Sequence, residues 1–150
     1  MKLNRKGIDL IKKYEGFSDK AYLCPASILT YGYGSTRKID GTLVKKGDRI
    51  NLVDAEKLLI KETAEFAKGV TRLLGSVQLN ENQFSALVSF AYNLGLSNLE
   101  KSTLLKIIKA DPNSPLIQSQ FLRWNKANGK VLNGLTNRRK EESQLYFTRV

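Results

Sequence analysis

Residues 14–36 read YEGFSDKAYLCPASILTYGYGST, and the fold turns on how this stretch is interpreted. Upstream of it, residues 3–14 carry Ile8, Ile11 and Tyr14 on one stripe, which predicts a helix ended by Gly16. From Lys20 to Ile50 the text changes to short extended runs, KAYLC, SILTYGYG and LVKKGDRI. They are rich in Tyr, Thr, Ile and Val and are broken by Pro25, Gly32, Gly34, Gly41 and Gly47. This pattern predicts a small antiparallel sheet of two or three strands. A sheet that small must lean on helices to be stable.

Everything after Asn51 reads as helix. Asn51 with Asp54 has the pattern of an N-cap and its reciprocal acid, opening a helix through Leu58, Leu59, Phe66, Val70, Leu73 and Leu74 to Gly75. At about 1.5 Å per residue it spans on the order of 35 Å, long enough to link two lobes. Asn80 with Gln83 is a second capping pattern, placed before FSALVSFAYNLG, which is apolar on most sides as a central core helix is. Ser102 opens TLLKIIKA, Ser114 and Pro115 open LIQSQFLRWNKANG, and Thr136 or Asn137 opens RRKEESQLYFTRV. The expected architecture is α+β within one domain, residues 1–150. A first helix and a β-rich lobe over about 15–50 are joined by a long helix, about 51–74, to a helical lobe over about 75–150.

Composition narrows the chemistry. With 41% hydrophobic and 26% charged residues the chain is of ordinary globular type. No apolar run approaches the roughly 18 residues of a membrane span. MKLNRKGIDLIKKYEG is charged and amphipathic, unlike a secretory signal, so the chain is expected to fold in a cytoplasm. Histidine is absent, which excludes His-based triads, zinc sites and proton relays. Cys24 is the sole cysteine, which excludes an intrachain disulfide and argues against a thiolate metal site. No metal and no cofactor are expected. Acid–base work falls to carboxylates, Tyr, Lys or the thiol. The net charge of +11, dispersed along the chain, attracts polyanions such as nucleic acid, acidic headgroups or an anionic cell envelope.

Of eight glutamates, seven sit in patterns of solvated charge. Glu56, Glu62 and Glu65 lie among lysines, and Glu141 and Glu142 lie in the Arg-rich last helix. Glu15 differs. It falls in the last turn of a helix, where the macrodipole disfavours negative charge, and Tyr14 and Phe17 flank it. Both features favour the protonated form that a general acid needs near neutral pH. On these local grounds a catalytic and a merely solvated carboxylate both stay open.

Eight residues separate Glu15 from Cys24, and five separate Cys24 from Thr30. At that spacing YEGF…AYLCPASILTYGYGST resembles the active-site segment of the phage-type lysozymes, the muramidase (endolysin) family known as glycoside hydrolase family 24. That family has a glutamate, then an aspartate or cysteine, then a threonine and a GYG turn. NENQFSALVSFAYNLG resembles its central helix, STLLK the segment after it, and GLTNRRKEESQLY its C-terminal segment. The resemblance therefore covers nearly the whole chain.

The resemblance implies a two-lobe lysozyme-like fold and a lysozyme that cuts the β-1,4 bond between N-acetylmuramic acid and N-acetylglucosamine in peptidoglycan, inverting at the anomeric carbon, for host-cell lysis. Glu15 would be the general acid, Arg138 of TNRR would orient it, and Thr30 would hold the attacking water. Cys24 stands where many relatives have aspartate, and its thiolate would stabilise positive charge or help to activate the water. Without the resemblance, Cys24 reads as a small buried apolar residue and Thr30 as a β-favouring one. Thr36, Tyr92, Asn93 and Ser102 match positions lining the saccharide cleft, with a core-aromatic reading equally open for Tyr92. Gly32 and Gly34 would allow a tight backbone near the sugar. Ser35 replaces a common family histidine, at a position that reads as structural. Trp124, on a stripe with Leu122, reads as packing in preference to a sugar platform.

The partners implied are peptidoglycan glycan strands and, by charge, an anionic envelope. A monomer is expected, released to the wall through a separately encoded pore, a holin. A lytic transglycosylase acting on the same bond is the nearest rival, followed by a wall-binding module that lost catalysis when Cys24 replaced a carboxylate. A nucleic-acid binder would also suit the charge, but no basic stripe interleaved with aromatics supports it.

Overall fold

The structure, a computed structural model, describes all residues from Met1 to Val150. Seven helices and two antiparallel hairpins follow one another along the chain. By contact density the chain divides into two units, one of residues 12–64 and one of residues 1–11 with 65–150. None of the helices is long and apolar enough to cross a membrane.

The first unit is built on the segment quoted at the outset. Helix α1 (Arg5–Glu15), whose residues 5–11, with the buried Ile8 and Ile11, belong to the other unit, leads into it. It stops where Gly16 takes φ +69° and donates its N–H to the Lys12 carbonyl at 3.0 Å, the left-handed cap that glycine adopts without strain. Strands β1 (Ser18–Leu23) and β2 (Leu29–Gly32) then pair antiparallel, with Tyr22 opposite Thr30 and Leu23 opposite Leu29. The third run, LVKKGDRI, contributes only single bridges, Arg37 with Leu43 and Lys20 with Arg49. Its centre folds back on itself, because the Asp48 carboxylate accepts the Lys45 N–H at 2.7 Å and closes a turn at Gly47. Tyr31, Val44 and Leu58 form the small core here, with Ala21, Leu29 and Ile50 packed on it.

Helix α2 (Leu52–Leu74) begins in this unit and ends in the other. The Asn51 side chain accepts the Asp54 N–H at 2.8 Å, so the N-cap expected there is made.

In the second unit, helix α3 (Glu81–Leu94) is buried continuously from Asn82 to Ala91. Its start is a full capping box: Asn80 accepts the Gln83 N–H, and the Gln83 side chain accepts the Asn80 N–H. Around it lie α4 (Leu96–Lys101), α5 (Thr103–Ala110), α6 (Ile117–Leu122) and α7 (Asn133–Tyr146). Leu87, Phe90, Leu99, Leu104, Ile108 and Phe121 are among the fully buried residues of this core. Trp124 meets Phe90 edge to face at 5.6 Å, the packing role read from its stripe.

Two boundaries differ from expectation. The helix over LIQSQFLRWNKANG ends at Leu122, and a short hairpin of β3 (Lys126–Ala127) and β4 (Lys130–Val131) takes its place. Asn128 and Gly129, at φ +52° and +77°, form its turn. An Asn-Gly pair is the strongest short-range hairpin signal, and its right-handed twist outweighs the helical stripe before it. Helix α7 starts at Asn133, upstream of Thr136.

Candidate active site

Glu15 is the last residue of α1 and is half-buried. Its turn is tied down through Lys12, whose ammonium pairs with Glu56 and lies 5.5 Å from the centre of the Tyr33 ring. Phe17 stacks obliquely on the same ring at 5.6 Å. Residues 31–35 form the turn after β2, closed by mutual 2.9 Å hydrogen bonds between the backbones of Tyr31 and Ser35. Within that turn Gly34 has φ +86°, and a Cβ there would stand 3.1 Å from Glu15 Oε2. The carboxylate thus lies directly over a bare backbone position, which accounts for the glycine by space as well as by conformation.

Cys24 follows β1 in the hairpin loop. Its N–H donates to the Ile28 carbonyl at 3.1 Å, and its own carbonyl accepts the Ser27 N–H at 2.8 Å. Closing the loop so tightly puts Ser27 in the left-handed region, at φ +61°. The N–H of Ile28, then that of Ala26, then the Thr30 hydroxyl hold the Cys24 thiol below its ordinary range, against a smaller opposing effect of desolvation. Hydrogen bonds to the sulfur favour the thiolate over the thiol.

Thr30 is 3% exposed on β2, and its hydroxyl donates to the Ile28 carbonyl at 2.9 Å. A hydroxyl has one proton and two lone pairs. When the proton is given to Ile28, Thr30 Oγ1 is an acceptor towards anything else that approaches. When it turns to Cys24, it stabilises the thiolate. Thr30 and Cys24 are therefore brought together by the hairpin, and Glu15 stands against the turn that leaves the same strand. Thr36, half-buried, accepts the Val44 N–H through its carbonyl at 3.0 Å. Ser35 is buried, and its hydroxyl makes no hydrogen bond.

The remaining expected residues belong to the second unit. Tyr92 meets Phe66 edge to face at 5.3 Å, a contact that fits the core-aromatic reading. Ser102 is buried, donating to the Leu99 carbonyl at 2.7 Å and accepting the Leu105 N–H at 3.0 Å, so its hydroxyl caps α5. Asn93 accepts from Arg139 Nη2 at 2.9 Å. Arg138, 3% exposed, donates from Nε to Glu142 Oε2 at 3.3 Å and from Nη2 to the Ser89 carbonyl at 3.3 Å.

Glu142 corrects an expectation. Read as a solvated charge, it is wholly buried between the guanidinium groups of Arg138 and Arg139, and it accepts the Ser89 hydroxyl at 2.6 Å. Burial pushes its carboxyl up, while Arg139 and Arg138 pull it back. On α7 the spacing i, i+3, i+4 puts all three charges on one face, and Ser89 of α3 meets that face. Spacing alone does not say whether such a face points to water. The apolar residues at Leu145 and Tyr146 on the same helix were the available signal that it points inward.

Three comparisons bear on this arrangement. A family model described as phage lysozyme matches residues 12–142. The chain is 43% identical over 150 residues to an endolysin of Bacillus phage B103, covering 99% of this chain and 55% of that protein. It is 35% identical over 148 residues to the endolysin of Salmonella phage P22, covering 99% of both. It thus spans about half the length, 55%, of the Bacillus phage relatives it matches. Among solved structures, an endolysin from Escherichia coli O157:H7 phage FAHEc1 superposes with a TM-score of 0.88 at 38% identity, over 98% of this chain and 94% of that one. A mutant of P22 lysozyme gives 0.85 at 34% identity, over 99% of both chains.

Proposed function

The chain belongs to the phage lysozyme family, and on that premise we propose that it is an endolysin hydrolysing the β-1,4 bond between N-acetylmuramic acid and N-acetylglucosamine in peptidoglycan. The observation that carries the reading is the grouping of Glu15, Cys24 and Thr30 around one β-hairpin and the turn that follows it.

Glu15 donates its proton to the glycosidic oxygen as that bond to the anomeric carbon breaks. Positive charge develops at the anomeric carbon. Thr30 Oγ1, its own proton engaged by Ile28, accepts a hydrogen bond from the incoming water and orients it. The water oxygen bonds to the anomeric carbon from the face opposite Glu15, so the configuration inverts. Its released proton passes to the Cys24 thiolate or to solvent. The thiolate, favoured by backbone donors, stabilises the developing positive charge. The family resemblance further assigns Arg138 to orienting Glu15, and Thr36, Tyr92, Asn93 and Ser102 to the saccharide cleft. The +11 charge draws the protein to an anionic envelope. The protein acts as a monomer and reaches the wall through a separately encoded pore, as the family resemblance implies.

The products distinguish hydrolysis from its nearest rival. Mass spectrometry of digested peptidoglycan is expected to show reducing muramic acid ends, each carrying the added water. A digest dominated by 1,6-anhydromuramic ends would make the protein a lytic transglycosylase.

A further inference from the structure

Arg139 and Glu142 are fully buried on α7, and the Glu142 carboxylate stands 2.7 Å from Arg139 Nε and accepts from its Nη2 at 3.1 Å. The ring of Phe90 lies against the guanidinium, its centre 5.1 Å from Cζ. From Arg139 one bond leaves this ion pair: Nη2 also donates to Asn93 Oδ1 at 2.9 Å. Nη1 meets no acceptor, so Asn93 is the only one Arg139 has besides Glu142. Asn93 itself is half-buried, in the last turn of α3.

That bond decides what Asn93 can offer. A carboxamide has an accepting oxygen and a donating nitrogen, and turning it over about its last bond exchanges the two. A guanidinium only donates, so the atom of Asn93 that faces Arg139 must be its oxygen. The opposite orientation would aim two N–H groups at a buried cation and leave Nη2 short of an acceptor. Asn93 Nδ2 is therefore held on the side away from Arg139, where it donates and never accepts. Arg139 is a firm anchor for this, since Glu142 pairs with it at two nitrogens and Phe90 blocks one face.

We propose that Arg139 is a positioning residue for glycan recognition, fixing the Asn93 carboxamide so that Nδ2 donates to an acetamido carbonyl of the bound sugar. A sugar hydroxyl can turn to donate or to accept, so it would be served by either orientation of the amide. A carbonyl oxygen only accepts, and it gains from a donor that is set in advance. The inference rests on the assignment of Asn93 to the saccharide cleft.

The test uses the peptidoglycan tetrasaccharide, two N-acetylglucosaminyl–N-acetylmuramyl repeats with their stem peptides, titrated by NMR into Glu15→Gln protein. Saturable shifts of the two Asn93 Nδ2 protons are expected. Asn93→Asp keeps the shape and the oxygen facing Arg139 but loses the donor. It should bind about three- to tenfold more weakly, the scale of one neutral hydrogen bond. Arg139→Met should weaken binding several-fold when Asn93 is present and add nothing in Asn93→Ala protein, because it acts through Asn93. A merely structural arginine would cost the same in both. Circular dichroism checks that each variant is folded, and Asn93→Asp, which leaves the buried ion pair intact, carries the test if Arg139→Met is not. The proposal is overturned if Asn93→Asp binds as the parent does, or if Arg139→Met costs the same with and without Asn93. Shifts at Cys24 and Thr30 with the Asn93 side chain unmoved would overturn it and leave the muramidase reading standing. A tetrasaccharide that shifts no resonance at all would contradict both.

Discussion

A thiol at residue 24 is charged only in part at pH values where an aspartate there would be charged almost fully. That difference makes its role measurable. The backbone N–H groups of Ile28 and Ala26 lower the Cys24 ionisation, so thiolate accumulates below the ordinary thiol value of about 8.5. If thiolate is the working form, activity rises with pH through that lowered value. Cys24→Asp should keep substantial activity while shifting the rising limb of the pH–rate profile to the carboxylate range, near pH 4. Cys24→Ser, which cannot ionise, should lose most activity at every pH. An unchanged limb in Cys24→Asp would show that residue 24 does not act through charge. Gly34 supplies a steric counterpart. Gly34→Ala places a Cβ 3.1 Å from Glu15 Oε2 at φ +86°. The strain costs on the order of 1–2 kcal/mol, and the Glu15 carboxylate must give way by a few tenths of an ångström, which lowers the rate. Turnover measured beside circular dichroism is expected to show a folded protein of that reduced activity.

At the scale of elements, caps set boundaries more firmly than stripes do. Asn80→Ala removes one half of the capping box of α3 and should cost about 1 kcal/mol, a fall of about 2–4 °C in the unfolding midpoint. The caps at Asn51, Asn80 and Ser102 were legible in the text because each is local, a side chain reaching a backbone N–H three residues on. The β1–β2 hairpin was legible for the same reason, and with it the spacing of Cys24 and Thr30. The β3–β4 hairpin was written as plainly, in Asn128–Gly129, but an amphipathic stripe running up to it competed for the same residues. The third run of the β-rich unit reads as a strand by composition. It shortens to bridges because Asp48 closes a turn inside it.

Over the whole molecule, what the text could not show is what only tertiary packing decides. Glu142 looks like any surface glutamate until α7 turns its charged face onto Ser89 of α3. Removing its carboxylate would take from the buried Arg139 guanidinium the counter-charge 2.7 Å from its Nε. The family's chemistry, by contrast, is concentrated in one short stretch, and a single exchange there tests it. Glu15→Gln keeps the shape of the side chain and removes its acid. The most direct measurement is the rate at which each protein clears a peptidoglycan suspension. The expected result is a loss of at least roughly a hundredfold in Glu15→Gln, the scale of a lost general acid. Clearing at the wild-type rate by the folded variant would contradict the account.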